Sequence, residues 1–168
     1  MTLAQHLRAF EVDGSLRDIY VLDTTLEHWD LMLKYVRTAG LIAAFTCGLE
    51  PTTPPATAAE IFAQLEDPEH ASFLLSLDVA GVQLNCHFFQ TDEIEFDLDP
   101  REVTDERRYD ALLAFMVGIG QATGNRVVLS GESSSGTRGG FSPIFDLLPG
   151  DAQPNFTADP WFAAQSRP

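Results

Sequence analysis

Lysine is nearly absent from this sequence: Lys34 is the only one among 168 residues. Twenty-five acidic residues against ten basic ones leave a net charge of −15. Such a surface is repelled by nucleic acid and anionic membranes, because phosphate binding relies on Lys and Arg to displace counterions. A protein partner is therefore expected to be basic. Cysteine is also scarce. Two residues, Cys47 and Cys86, exclude a disulfide framework. Each sits on the apolar side of an expected strand, beside Phe45 and Phe88, where a free thiol packs as a small hydrophobe. Neither has a ligand-spaced His or Cys nearby, so no zinc site is expected. Long hydrophobic runs are missing too. The longest, Ala111 to Ile119, is far short of the roughly 20 residues a membrane span needs. Met1 to Arg8 lacks a basic region followed by an apolar core, so no secretory signal is expected and the cytoplasm is the simplest address.

What is present suits a packed core: 45% of residues are hydrophobic, twelve of them Phe. The length fits one domain of roughly 150 residues. We expect a single α+β domain over residues 1–149 and a C-terminal tail over 150–168, where Pro154, Pro160 and Pro168 interrupt any periodicity. Trp161 and Phe162 offer a way to dock that tail.

Alternation predicts a strand over Leu16 to Leu22. Thr24 with Glu27 fits a capping box, and Leu26, Trp29, Met32, Leu33 and Val36 follow at helical spacing until Gly40. Leu41 to Leu49 reads as a buried strand, and Pro51, Pro54 and Pro55 as a stiff loop. A second capping box, Thr57 with Glu60, opens a short helix bearing Ile61, Phe62 and Leu65, ended by Asp67 and Pro68. Phe73 to Val79 and Val82 to Phe89 are strand-like, joined by a tight Ala80-Gly81 turn. After a turn at Thr91-Asp92, Glu93 to Asp99 is the next strand. A helix starting at Thr104 buries Tyr109, Leu112, Leu113, Met116 and Ile119, and Gly124 and Asn125 close it. Arg126 to Ser130 is another strand, and a Gly/Ser loop, Gly131 to Gly140, leads to a last apolar stretch, Phe141 to Leu148. Hairpins mixed with crossovers imply a two-layer α+β sandwich, a mainly antiparallel sheet with helices on one face. A doubly wound nucleotide fold, with strands and helices alternating throughout, does not fit.

The segment Glu93-Ile94-Glu95-Phe96-Asp97-Leu98-Asp99 carries the most chemistry. Period-two alternation sends Ile94, Phe96 and Leu98 to the core and sets Glu93, Glu95, Asp97 and Asp99 on the other face. In the preceding strand Gln83, Asn85, His87 and Phe89 point outward, which brings His87 close to Glu95. Between Asp92 and Asp110 nine acids face Arg101, Arg107 and Arg108, contributing −6 of the total −15. Like charges side by side on a sheet disfavour the fold, and three readings compete. The row is a solvated face that blocks unwanted pairing, or a docking face for a basic partner, or a metal or catalytic site. For the last, Asp97-Leu98-Asp99 is a D-x-D, but only His87 offers a converging ligand. The partner-binding set is Glu93, Glu95, Asp97, Asp99, His87 and Asn85. No cofactor is expected, and catalysis is the less favoured reading.

Two enzymatic motifs fail in the Gly131 to Gly140 loop. Thr137 stands where a phosphate-binding loop has its lysine, and Pro143 blocks the helix that would follow. Ser135 replaces the closing glycine of a nucleophile elbow. A surface loop is the better reading. His28 is expected in solvent, His6 and His70 without partners, and Tyr35 beside its helical stripe. Exposed aromatics such as Phe89 and Tyr35 support a further alternative, a self-associating structural subunit.

Three stretches carry a likeness: Ser15 to Val21 running into Thr24-Thr25 and Trp29; Asn85-Cys86-His87-Phe88-Phe89; and Glu93 through Glu102, reading EIEFDLDPRE. They resemble a family of small, uncharacterised bacterial proteins, some of which look like immunity proteins of toxin systems. The resemblance covers roughly residues 15 to 130. It implies a binding role, and it brings no established active site from which to assign residues.

Overall fold

Local turn and capping chemistry sets the register of this chain, and a computed structural model describes residues 2–66, 72–132 and 143–157 of it. Among the described residues nine strands join one sheet. They are β1 (Arg17–Val21), β2 (Ile42–Cys47), β3 (Glu50–Pro51), β4 (Phe73–Val79), β5 (Val82–His87), β6 (Ile94–Leu98), β7 (Val127–Gly131), β8 (Phe145–Leu147) and β9 (Asn155–Phe156). Their order is β3-β2-β4-β5-β6-β1-β7-β8-β9, and every pairing is antiparallel. The helices are α1 (Leu3–His6), α2 (Leu26–Thr38), α3 (Ala58–Leu65) and α4 (Glu106–Thr123), with 3-10 turns at Leu7–Phe10 and Pro100–Glu102.

One face of the sheet meets the helices. Trp29, Met32, Leu33 and Val36 of α2 pack with Tyr109, Leu112, Phe115, Met116 and Ile119 of α4 over Ile19, Leu75, Leu84, Phe96 and Leu129. Each such burial contributes about 1.5–3 kcal/mol, so apolar packing holds the two layers together. This is the α+β sandwich that alternation implied. The stripe of α4 is rotated slightly from expectation: Phe115 is buried and Leu113 only partly so. Tyr35 is half-buried rather than free, packed over Gly118, where any Cβ would collide with its hydroxyl.

The cap of α2 differs from the expected one by a residue. The N-cap of α2 is Thr25, whose N–H donates to Nδ1 of His28 at 3.0 Å. Thr24 is drawn away from capping. Its N–H donates to the Asp92 carbonyl at 2.9 Å and its hydroxyl to the Thr91 carbonyl at 2.9 Å, tying β1 to the turn before β6. Thr57 caps α3 as expected, but the Glu60 carboxylate accepts from Ala56, not from Thr57. α4 begins at Glu106 rather than at Thr104, and Asp105 caps it by accepting the Arg108 N–H at 2.9 Å. Gly124 ends that helix with a left-handed φ of 76°, as its lack of Cβ permits.

The Ala80-Gly81 turn has φ values of 56° and 88°, the twist that suits a two-residue hairpin. Leu41 to Leu49 is not wholly buried. β3 pairs only with Thr46 and Cys47, which leaves Ala43 and Ala44 exposed at the sheet's edge. At the other edge, Asn155–Phe156 of the expected tail forms β9 against β8. Asp67, Pro68, His70, Trp161 and Phe162 lie outside the described residues. No helix among the described residues is long and apolar enough to cross a membrane.

Candidate functional site

The face of the sheet turned away from the described helices gathers several of the polar residues that alternation assigned to it. Ile94, Phe96 and Leu98 are buried toward the helices, and Glu95 and Asp97 are half-buried on the other side. β5 and β1 flank β6, so the register fixes two rows. His87 lies opposite Glu95, which lies opposite Tyr20; Asn85 lies opposite Asp97, which lies opposite Asp18.

Hydrogen bonds link most of these side chains. Ser76 Oγ and Gln83 Nε2 donate to Asn85 Oδ1 at 3.1 and 2.9 Å. Asn85 Nδ2 donates to Asp97 Oδ1 at 3.0 Å, and His87 Nε2 meets Asp97 Oδ2 at 2.9 Å. Both Asp97 oxygens are thereby satisfied. Tyr20 donates to Asp18 at 3.0 Å. The His87 ring stacks on Phe89 with centroids 5.0 Å apart and planes 5° from parallel.

Glu95 is the exception. Among the described residues no hydrogen bond or ion pair reaches its carboxylate. Burial, then the neighbouring charges of Asp18, Glu93 and Asp97, push its pKa up to about 7, with His87 pulling the other way. The hydrogen bond to Asp97 raises His87 above its ordinary value against the effect of burial. Burial and the carboxylates of Asp18, Glu95 and Glu93 push the Tyr20 phenol up. Glu95 therefore titrates near neutrality beside a histidine whose pKa is raised on the adjacent strand. Such a site can take up a cation or a proton at little cost.

The other members of the expected row sit differently. Glu93 is 4% exposed, not in water. Its Oε1 accepts from Gln90 at 2.7 Å, its buried Oε2 has no partner, and burial raises its pKa. Asp99 is spent on structure, since it takes a bidentate bond from Arg101 and caps the Pro100–Glu102 turn. That pairing holds its pKa down. The row thus narrows to Glu95 and Asp97, beside Asp18 and Tyr20 of β1, which are buried at 3% and 2% exposure. Sequence reasoning missed these two. Their period-two spacing was visible, but nothing in the chain says that β1 pairs with a strand some 75 residues later.

No known protein family, curated protein or solved structure matches this chain. The site must be read from its own chemistry. Among the described residues no group of three His, Cys, Asp or Glu side chains is arranged to hold a metal ion. Cys86 is buried and its thiol is pushed up by burial, the behaviour of a packed hydrophobe. Of the Gly/Ser loop, Gly131 ends β7 and Glu132 accepts the Leu16 N–H at 3.0 Å; residues 133–140 lie outside the described ones. His6, expected to lack partners, is buried against Tyr109, Phe145 and Phe156 with Nδ1 2.7 Å from the Tyr109 hydroxyl. Phe145 and Phe156 lie on β8 and β9, separated from β6 by β1 and β7, and this cluster serves packing.

Proposed function

We propose that the protein binds a basic protein in the cytoplasm through the sheet face centred on Glu95 and Asp97. The observation that carries this reading is Glu95 itself, a half-buried carboxylate among carboxylates with no donor among the described residues. A carboxylate in that setting is destabilised until a positive charge arrives, and an incoming Lys or Arg gains what the free protein lacks. The net charge of −15 extends the attraction beyond contact and favours fast encounter. It also disfavours nucleic acid as the partner. An immunity-type role, in which this face caps the basic surface of a toxin, agrees with the likeness of the Asn85–Phe89 and Glu93–Glu102 stretches.

Association with the protein encoded by the adjacent gene tests this. Stopped-flow mixing should give a rate that falls steeply with salt, and Glu95→Gln with Asp97→Asn should slow it by at least about tenfold. Unchanged kinetics in the folded double variant would remove the idea.

A further inference from the structure

A groove of about 560 Å³ opens at the end of the sheet, between the C-terminal end of α3 and the turn joining β5 to β6. Phe62, Leu65, Phe88 and Phe89 form its apolar wall, and Glu66 and Asp92 are acidic groups in its lining. Among the described residues no basic one lines it. Phe88 is held from behind by Trp29, stacked at 4.9 Å. Phe89 is 70% exposed, an unusual state for an aromatic, and its ring stacks on His87 of the acidic face. Groove and acidic face are therefore joined through one side chain.

We infer that this groove seats an arginine side chain of the basic partner, an inference that rests on the half-buried Glu95–Asp97 face being a cation-recognition surface. The lining of the groove selects arginine. A flat, weakly hydrated guanidinium stacks on aromatic faces and gives its N–H groups to carboxylates in one plane. Its methylene stem suits the apolar wall. The last carbonyls of α3 add the partial negative charge of a helix C-terminus at the same place. A lysine would forgo the stacking. A purely apolar side chain would leave Glu66 and Asp92 without a counter-charge.

Titrating the full chain with an acetylated, amidated tetra-arginine peptide tests this, read by calorimetry and by the aromatic NMR signals of Phe89. The peptide should bind and shift those signals. Phe89→Leu, which keeps apolar bulk and removes the ring, should weaken binding by about fivefold or more, and tetra-lysine should bind several-fold less tightly. If Phe89→Leu binds like the wild type while Glu95→Gln/Asp97→Asn binds weakly, the groove assignment falls and the reading of the Glu95–Asp97 face stands. If the Phe89 variant alone is weakened, the groove takes arginine without the Glu95–Asp97 face, and the inference that rests on that face is overturned with it. No binding by the wild type sinks both. Equal Phe89 shifts from N-acetyl-leucine amide and N-acetyl-arginine amide would make the occupant apolar and overturn the assignment. Self-association in sedimentation that vanishes with Phe89→Ala would give the groove to a second copy, and would overturn it too.

Discussion

His87 reaches diagonally to Asp97 at 2.9 Å, although the strand register sets it directly opposite Glu95. The choice satisfies Asp97, which also receives Asn85, and leaves Glu95 as the poorly compensated charge of the face. The site's chemistry follows from that one diagonal.

Glu95→Gln should stabilise the protein at high pH and not at low pH. The folded pKa of Glu95 is raised to about 7, so the native state holds a proton that the unfolded chain releases near 4.5. The associated stability is complete below that lower value and is lost as pH rises through about 7. At pH 8 the glutamine variant should gain on the order of 1 kcal/mol, after allowing for screening of a partly exposed group. Urea denaturation at pH 4 and pH 8 checks this. Equal effects at both would show that Glu95 carries no unusual electrostatic cost.

Arg17→Leu should be severely destabilising. The guanidinium is fully buried, donating to the carbonyls of Ala9 at 2.7 Å and Glu11 at 2.8 Å and pairing with Asp13. Against the effect of burial, Ser15 and Arg17 hold Asp13 down to about 2. Breaking a buried charge network of this kind costs about 3–5 kcal/mol. A loss below about 1 kcal/mol by urea denaturation would mean that the N-terminal segment is not anchored by this residue.

His6 should make the fold acid-sensitive through the aromatic cluster. Burial lowers its pKa, so the folded state favours the neutral ring. Its contribution is intact above pH 6.5 and is lost as pH falls toward the lowered value. Wild-type stability should drop relative to His6→Gln as pH falls below 6.5. Parallel pH curves for the two proteins would contradict the assignment.

Ala80→Asn should stabilise the β4–β5 hairpin. Alanine at φ 56° sits where an L side chain is strained and where asparagine is tolerated. The gain should be roughly 0.5–1 kcal/mol, seen as a higher midpoint in thermal melting. No gain would mean that the turn relaxes elsewhere.

The architecture was largely legible because period-two and period-3.6 patterns are strong in this chain. Glu93 to Asp99 showed its faces, and Trp29, Met32, Leu33 and Val36 showed theirs. The cap of α2 slipped because Thr24 and Thr25 compete for one role, and only the distant contacts to Thr91 and Asp92 decide between them. The site was half legible. His87, Asn85, Glu95 and Asp97 lie on sequence neighbours joined by a hairpin, so local pattern placed them together. Asp18 and Tyr20 arrive from a strand paired across the chain, and the pairing of Asp99 with Arg101 depends on the 3-10 turn that begins at Pro100. Periodicity carries no information on either.

Carbon-13 NMR titration of the Glu95 side-chain carboxyl tests the central claim most directly. The free protein should show a midpoint near pH 7, and adding tetra-arginine should move it down by about one unit or more. A midpoint near 4.5 that does not move with the peptide would contradict the account.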